Sequence, residues 1–195
     1  KKVAVKVIDK TRIPDAMRMY AAREPGILRD LKHPNVVKLL HTEETRTEIQ
    51  IYLQFMEGCD MHTYVQENRR LEERDARRLF VQILDAVEYI HSDVILQLLL
   101  VARCLALTLS LAQQKNVCHR DLKLENILIS KTRRSGTHRA MVIDFGFAGH
   151  IPTASYRFTD HPGSVCYAAP ELLGMCAGID AIALNCASVA LTLAS

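Results

Sequence analysis

The chain has 195 residues, 49% of them apolar and 24% charged, which is the make-up of an ordinary globular protein long enough for one domain or two small lobes around a sizeable core. A formal net charge of +3 is too mild to argue for nucleic acid or an anionic membrane surface as a partner. The six cysteines (Cys59, Cys104, Cys118, Cys166, Cys176 and Cys186) include no Cys-x-x-Cys pair, which argues against a zinc site or a disulfide framework and for a reducing compartment, the cytoplasm or nucleus. Lys1-Lys2 run straight into an alternating apolar segment with no secretory leader and no initiator Met, so the start reads as a cut inside a larger protein.

Val3–Ile8 is β-branched and alternating, which predicts a strand, and Lys6 lies inside it. Further on, Glu24 is followed by Ile27, Leu28 and Leu31 at helical spacing. Pro25-Gly26 interrupt that pattern, because proline lacks the amide hydrogen a helix needs and pushes the residue before it out of the helical region. A helix that begins at Pro25, a favourable first-turn position, leaves Glu24 at or before the cap. His33–Leu39 reads as a turn leading into a strand. Ile49–Met56 reads as a further strand that ends at Glu57-Gly58-Cys59-Asp60. From Glu72 to Ser92 the residues Ala76, Leu79, Phe80, Ile83, Leu84, Val87 and Ile90 recur at helical spacing, with charges in the early turns.

Asp93–Gln114 is apolar on every face and approaches the roughly 20 residues of a membrane span. Arg103 near its middle opposes insertion. The stretch Val117–Ile129 then gathers His119, Arg120, Asp121, Lys123, Glu125 and Asn126 between apolar flanks. It offers a carboxylate free to accept a proton (Asp121), an amide oxygen able to hold a divalent cation (Asn126) and a cation for a phosphate oxygen (Lys123). Phosphoryl transfer needs such a set, because its catalysis is mostly positioning and charge stabilisation. Lys131–Arg139 reads as a basic hairpin tip. Met141-Val142-Ile143 reads as a short strand ending in Asp144-Phe145-Gly146, where a carboxylate at a strand end suits a metal ligand.

His119-Arg120-Asp121 with Asn126 resembles the His-Arg-Asp-x-x-x-x-Asn catalytic loop of the protein kinases at every fixed position. Val3-Ala4-Val5-Lys6 is similar to their Val-Ala-Ile-Lys strand, and Asp144-Phe145-Gly146 to their metal-binding loop. Gly163–Glu171 is similar to the end of their activation segment. The motifs occur in the family's order, and Lys123 points to the serine/threonine class. Phe145-Gly146-Phe147-Ala148 and Tyr167–Glu171 look most like the calcium/calmodulin- and AMP-activated-kinase-like group. The resemblance implies a partial, two-lobed α+β fold, with a β-rich lobe over 1–56 and a mainly helical lobe over 57–195 that carries an insertion at 93–114.

It further implies ATP and Mg²⁺ as cofactors and a protein Ser or Thr hydroxyl as acceptor, with an upstream activating kinase as a further partner. On this reading Asp121 orients the hydroxyl, Lys123 stabilises the transferring group, and Asn126 and Asp144 hold the metal. Lys6 binds the α- and β-phosphates, and Glu24 holds Lys6. Ala4, Leu53 at the gatekeeper place, Gln54 and Met56 at the hinge, Asp60 near the ribose or a basic substrate residue, and Glu125 and Leu128 complete the nucleotide-binding set. Ser164 contacts Asp121 and Lys123. Asp160 stands where relatives carry a phosphorylated threonine, opposite Arg120, with Thr159 and Ser155 as competing phosphate acceptors.

The sequence departs from the pattern in three places. Joining Ser92 to Lys115 restores the usual spacing, so Asp93–Gln114 reads as an insertion, a translated intervening sequence. A membrane span there would put halves of one domain on opposite sides of a bilayer. No Gly-x-Gly-x-x-Gly occurs, and the resemblance places that loop ahead of Lys1. Near the end, Ile182 and Asn185 replace the tryptophan and glycine that relatives carry after an aspartate like Asp180, and Glu171 lacks its usual arginine partner. Two alternatives therefore stand beside the enzyme: an impaired, pseudokinase-like fragment that only binds, and a kinase tethered to membrane through 93–114.

Overall fold

The computed structural model describes residues 2–69, 71–91, 115–131, 138–151, 158, 163, 164 and 167. Asp93–Gln114, the acceptor positions Ser155, Thr159 and Asp160, and the stretch containing Glu171, Asp180, Ile182 and Asn185 lie outside the described residues. Among those described, no helix is long and apolar enough to cross a membrane.

The first lobe is a three-stranded antiparallel sheet with one helix on it. Strand β1 (Val3–Asp9) pairs with β3 (Glu48–Gln54), which also pairs with β2 (Leu39–Glu44), giving the order β1-β3-β2. The alternation read in Val3–Ile8 is real: Val3, Val5 and Val7 are exposed while Ala4, Lys6 and Ile8 are half-buried on the other face. Helix α1 (Asp15–Asp30) buries Ala21, Glu24, Ile27 and Leu28.

That helix corrects the expectation drawn from Pro25. It does not begin at the proline but runs through it, so Glu24 lies on an interior turn. A proline inside a helix costs about 3 kcal/mol. Burying the stripe Ala21, Glu24, Ile27 and Leu28, at about 1.5–3 kcal/mol for each large apolar side chain, outweighs that cost. Tertiary packing overrides a local breaker here.

The second lobe begins at β4 (Cys59–Asp60), followed by α2 (Met61–Asn68) and α3 (Glu73–Ile90). β4 pairs with β6 (Ile127–Lys131), which pairs antiparallel with β7 (His138–Val142); residues 132–137, within the expected hairpin tip, lie outside the described residues. β5 (Val117–Cys118) pairs with β8 (Gly149–His150). Leu79, Ile83, Ala86, Val87 and Ile90 of α3 are buried in one core with Leu122, Ile127, Ile129 and Met141. The helical spacing between Glu72 and Ser92 had forecast this face.

The connection after α1 fastens the lobes together. Val37 N–H donates to the Val142 carbonyl (2.9 Å) and Val142 N–H to the Asn35 carbonyl (2.8 Å). The buried Asn35 amide donates to the Ala140 carbonyl (2.8 Å) and to Gln82 Oε1 of α3 (3.0 Å). The segment after α1 thus forms an isolated parallel bridge, Val36 to Val142, with the strand that leads to Asp144.

Candidate active site

Strand β1 places Lys6 at its centre and α1 brings Glu24 opposite. Lys6 Nζ donates to both Glu24 carboxylate oxygens at 2.8 Å and to Asp144 Oδ1 at 2.7 Å. Glu24 is 1% exposed, Lys6 34% and Asp144 45% by side chain. Burial works against the charge on Lys6, but the two carboxylates outweigh it and hold its pKa above the usual lysine value. Burial pushes the Glu24 carboxyl up while Lys6 pulls it down. Burial wins that opposition, so the Glu24 carboxyl sits above its ordinary value although Lys6 grips both its oxygens. Asp144 feels burial too, yet Lys6 and the Gly146 N–H (3.2 Å) keep its carboxyl below the ordinary range.

The catalytic-loop residues lie between β5 and β6, on a backbone that needs an unusual bend. Arg120 (φ 66°) and Asp144 (φ 60°) both occupy the left-handed region, which side-chain-bearing residues adopt only when their surroundings hold them there. His119 is one such support. Its ring is buried, accepts from the Asp121 N–H at Nδ1 (3.3 Å) and lies 3.0 Å from the Ile143 carbonyl through Nε2. Those partners assign the neutral tautomer with hydrogen on Nε2. Burial lowers its pKa in agreement with that assignment. Phe145, fully buried, meets the same ring edge-on at 4.7 Å. Ile143 N–H also donates to the Asn126 carbonyl (2.9 Å), which ties the loop to the segment leading to Asp144.

Asp121, Lys123, Asn126 and Ser164 form one bonded set. Lys123 Nζ is 2.9 Å from Asp121 Oδ2 and donates to Ser164 Oγ at 2.8 Å. Ser164 donates to Asp121 Oδ1 through its N–H (3.0 Å) and its hydroxyl (3.1 Å), the contact expected of it. Asn126 Nδ2 donates to the Asp121 carbonyl (2.8 Å) and Oδ2 (3.1 Å). Because its amide nitrogen is spent on Asp121, the oxygen of Asn126 is left as an acceptor.

The donor set fits a hard divalent cation: one carboxylate kept ionised and one amide oxygen, joined through Ile143. Among the described residues no three His, Cys, Asp or Glu side chains form a metal cage. An ion here would share its shell with substrate phosphates, as Mg²⁺ commonly does.

The residues assigned to the nucleotide fall into groups. Ala4 and Leu53 are direct partners across β1 and β3, and Leu53, Met56 and Leu128 pack on the core. The Gln54 N–H is occupied by the Lys38 carbonyl (2.9 Å). Asp60, paired with Leu128 across β4 and β6, caps α2 by accepting from Thr63 N–H (2.8 Å) and Oγ1 (2.7 Å). Burial alone would raise the Asp60 carboxyl, but those bonds hold it below its usual value. Glu125 is exposed and accepts from the Tyr167 hydroxyl (3.3 Å). Gly58 is required where the hinge crosses β6: its φ is 154°, and a Cβ would fall 2.0 Å from the Ile129 carbonyl oxygen.

A lysine ion-paired to a helix and a carboxylate ordered by a lysine, an amide and a hydroxyl are the groups of a phosphate-handling site between two lobes. The chain matches the protein kinase domain over residues 1–193 and belongs to that family. It is 35% identical over 175 residues to the Saccharomyces cerevisiae protein named fatty acyl-CoA synthetase and RNA processing-associated kinase 1, covering 89% of this chain and 17% of that one. It is 35% identical over 178 residues to serine/threonine-protein kinase KIN4 of the same yeast (89% and 18%) and 34% identical over 170 residues to serine/threonine-protein kinase SIK1 of Rattus norvegicus (87% and 18%). The chain thus spans less than a fifth of the length of these curated relatives.

Proposed function

We propose that this chain carries the catalytic machinery of a protein serine/threonine kinase, moving the γ-phosphoryl group of ATP to a Ser or Thr hydroxyl of a protein. The observation that supports this best is the bonded set of Asp121, Lys123, Asn126 and Ser164, which fixes a carboxylate beside a cation where a hydroxyl nucleophile can be received. The names of its relatives, serine/threonine-protein kinases among them, favour the same acceptor class.

In this reading Asp121 accepts the hydroxyl hydrogen as the oxygen attacks. Lys123, already 2.9 Å from Asp121, neutralises charge on the transferring group. Lys6 binds the α- and β-phosphates and Glu24 keeps it aimed. Asn126 and Asp144 would hold Mg²⁺, which would supply positive charge against the phosphate oxygens.

The test is transfer of labelled γ-phosphate from ATP with Mg²⁺ to a degenerate Ser/Thr peptide library, together with nucleotide binding. Asp121→Ala should abolish transfer while nucleotide still binds. Full transfer by that variant would remove Asp121 from the mechanism, and the proposal with it.

A further inference from the structure

Arg120 stands immediately before Asp121 in the left-handed backbone region, so something must hold it. Its Nε donates to the Phe147 carbonyl at 2.7 Å. Its guanidinium carbon lies 4.2 Å from the ring centroid of Phe158 and 5.6 Å from that of Tyr20 on α1. Tyr20 in turn meets Phe147 edge-on at 5.7 Å. A guanidinium within about 6 Å of an aromatic centroid is attracted by the ring's negative face. The Phe158 contact is well inside that range.

The seat for this ring is built by an absent side chain. Gly149 is buried on β8, and a Cβ placed there would lie 2.8 Å from Phe158 Cε1 and 3.2 Å from Cζ, with Arg120 Nη2 at 3.4 Å. Any other residue at 149 would lift the ring away from the guanidinium. Bare backbone at 149, a cation at 120 and an aromatic ring at 158 therefore make one fitted contact, contributed by three separated points of the chain.

We infer that Phe158 is an aromatic latch: seated on Gly149, it holds Arg120 and through it the bend that presents Asp121, while Tyr20 ties the same guanidinium to the helix carrying Glu24. Phe158, Gly149 and Tyr20 are positioning residues, because none touches the reacting groups. The latch orders the catalytic loop through ring electrostatics. It rests on the kinase reading for its consequence in rate, but not for its existence as a contact.

The decisive variant leaves shape alone. Replacing Phe158 with 3,4,5-trifluorophenylalanine withdraws charge from the ring face at nearly constant volume. It should lower kcat about three- to tenfold with KM for ATP within about twofold. Phe158→Leu and Gly149→Ala should each lower kcat by at least as much. The Gly149→Ala/Phe158→Leu double variant should stay low, since removing the clash does not restore the ring. Unchanged kcat in the trifluoro protein overturns the latch, and so does recovery in the double variant, which would make Phe158 a mere filler. Should the unaltered chain transfer no phosphate, the kinase reading fails separately. The latch is then judged by the ¹⁹F resonance of 4-fluorophenylalanine at position 158: a shift on Arg120→Met supports it, and an unmoved resonance overturns it.

Discussion

Pro25 gives a direct measure of how far packing dictates α1. The proline leaves the Ala21 carbonyl without its helical donor, and Gly26 follows it at an exposed position where an added Cβ meets nothing within 4 Å. Proline in a helix interior is about 3 kcal/mol less favourable than alanine, and restoring freedom to the unfolded chain returns about 0.4–1 kcal/mol of that, so Pro25→Ala should stabilise by about 2 kcal/mol. Gly26→Ala should add about 0.5–1 kcal/mol. Together they correspond to a rise in Tm of about 5–10 °C for a chain of this size. Urea unfolding of the full chain, followed by far-UV circular dichroism, should show a higher midpoint at unchanged m-value. A midpoint that stays put or falls would refute the reasoning. It would mean that the proline's ring or bend is itself what aims Glu24 at Lys6, and that α1 is not a strained helix held down by its buried face.

Two further outcomes follow from buried charge. Glu24→Gln removes the carboxylate that grips Lys6 through both oxygens and should raise KM for ATP about ten- to a hundredfold, from the roughly 1.5–3 kcal/mol of a charged hydrogen bond; steady-state kinetics with unchanged KM and kcat would contradict it. His91 is fully buried and its pKa is pushed down to about 4, chiefly by burial and then by His119. The folded chain therefore refuses a proton that the unfolded chain accepts near 6.5, so stability should fall by about 3 kcal/mol as pH drops from 6.5 to 4, read from urea midpoints, and His91→Phe should flatten that slope.

The sequence disclosed the chemistry far better than the means of holding it. Asp121, Lys123, Asn126 and Asp144, the groups proposed to react or to hold metal, are legible because such a group is an identity at a fixed spacing, and short loops preserve spacing in space. Lys6 was legible for the same reason, on a strand whose alternation decides its face. Glu24 was legible as the partner of Lys6 only through the family resemblance, because its place on the helix depends on whether that helix survives Pro25. That is settled by which side chains α1 buries against the rest of the fold. Asp60 carries a second readable signal: an aspartate three residues before Thr63 and next to an apolar start is an N-cap pattern, and α2 begins there.

Phe158 shows where reading must fail. Nothing in a lone phenylalanine beyond β8 distinguishes it, and the glycine that seats it looks like any other. Their meaning comes from Arg120, 29 residues before Gly149 and 38 before Phe158, and bent into a region few side chains occupy. The same division runs through the site. Groups that react are written as motifs, whereas groups that position are written as fits between distant surfaces: Glu24 against Lys6, Asn35 against Ala140, Phe158 against Gly149. A substitution among the first set should remove chemistry at constant stability. Among the second it should change how often the intact chemistry is correctly assembled, which is why the rate of an isosteric ring variant can separate the two.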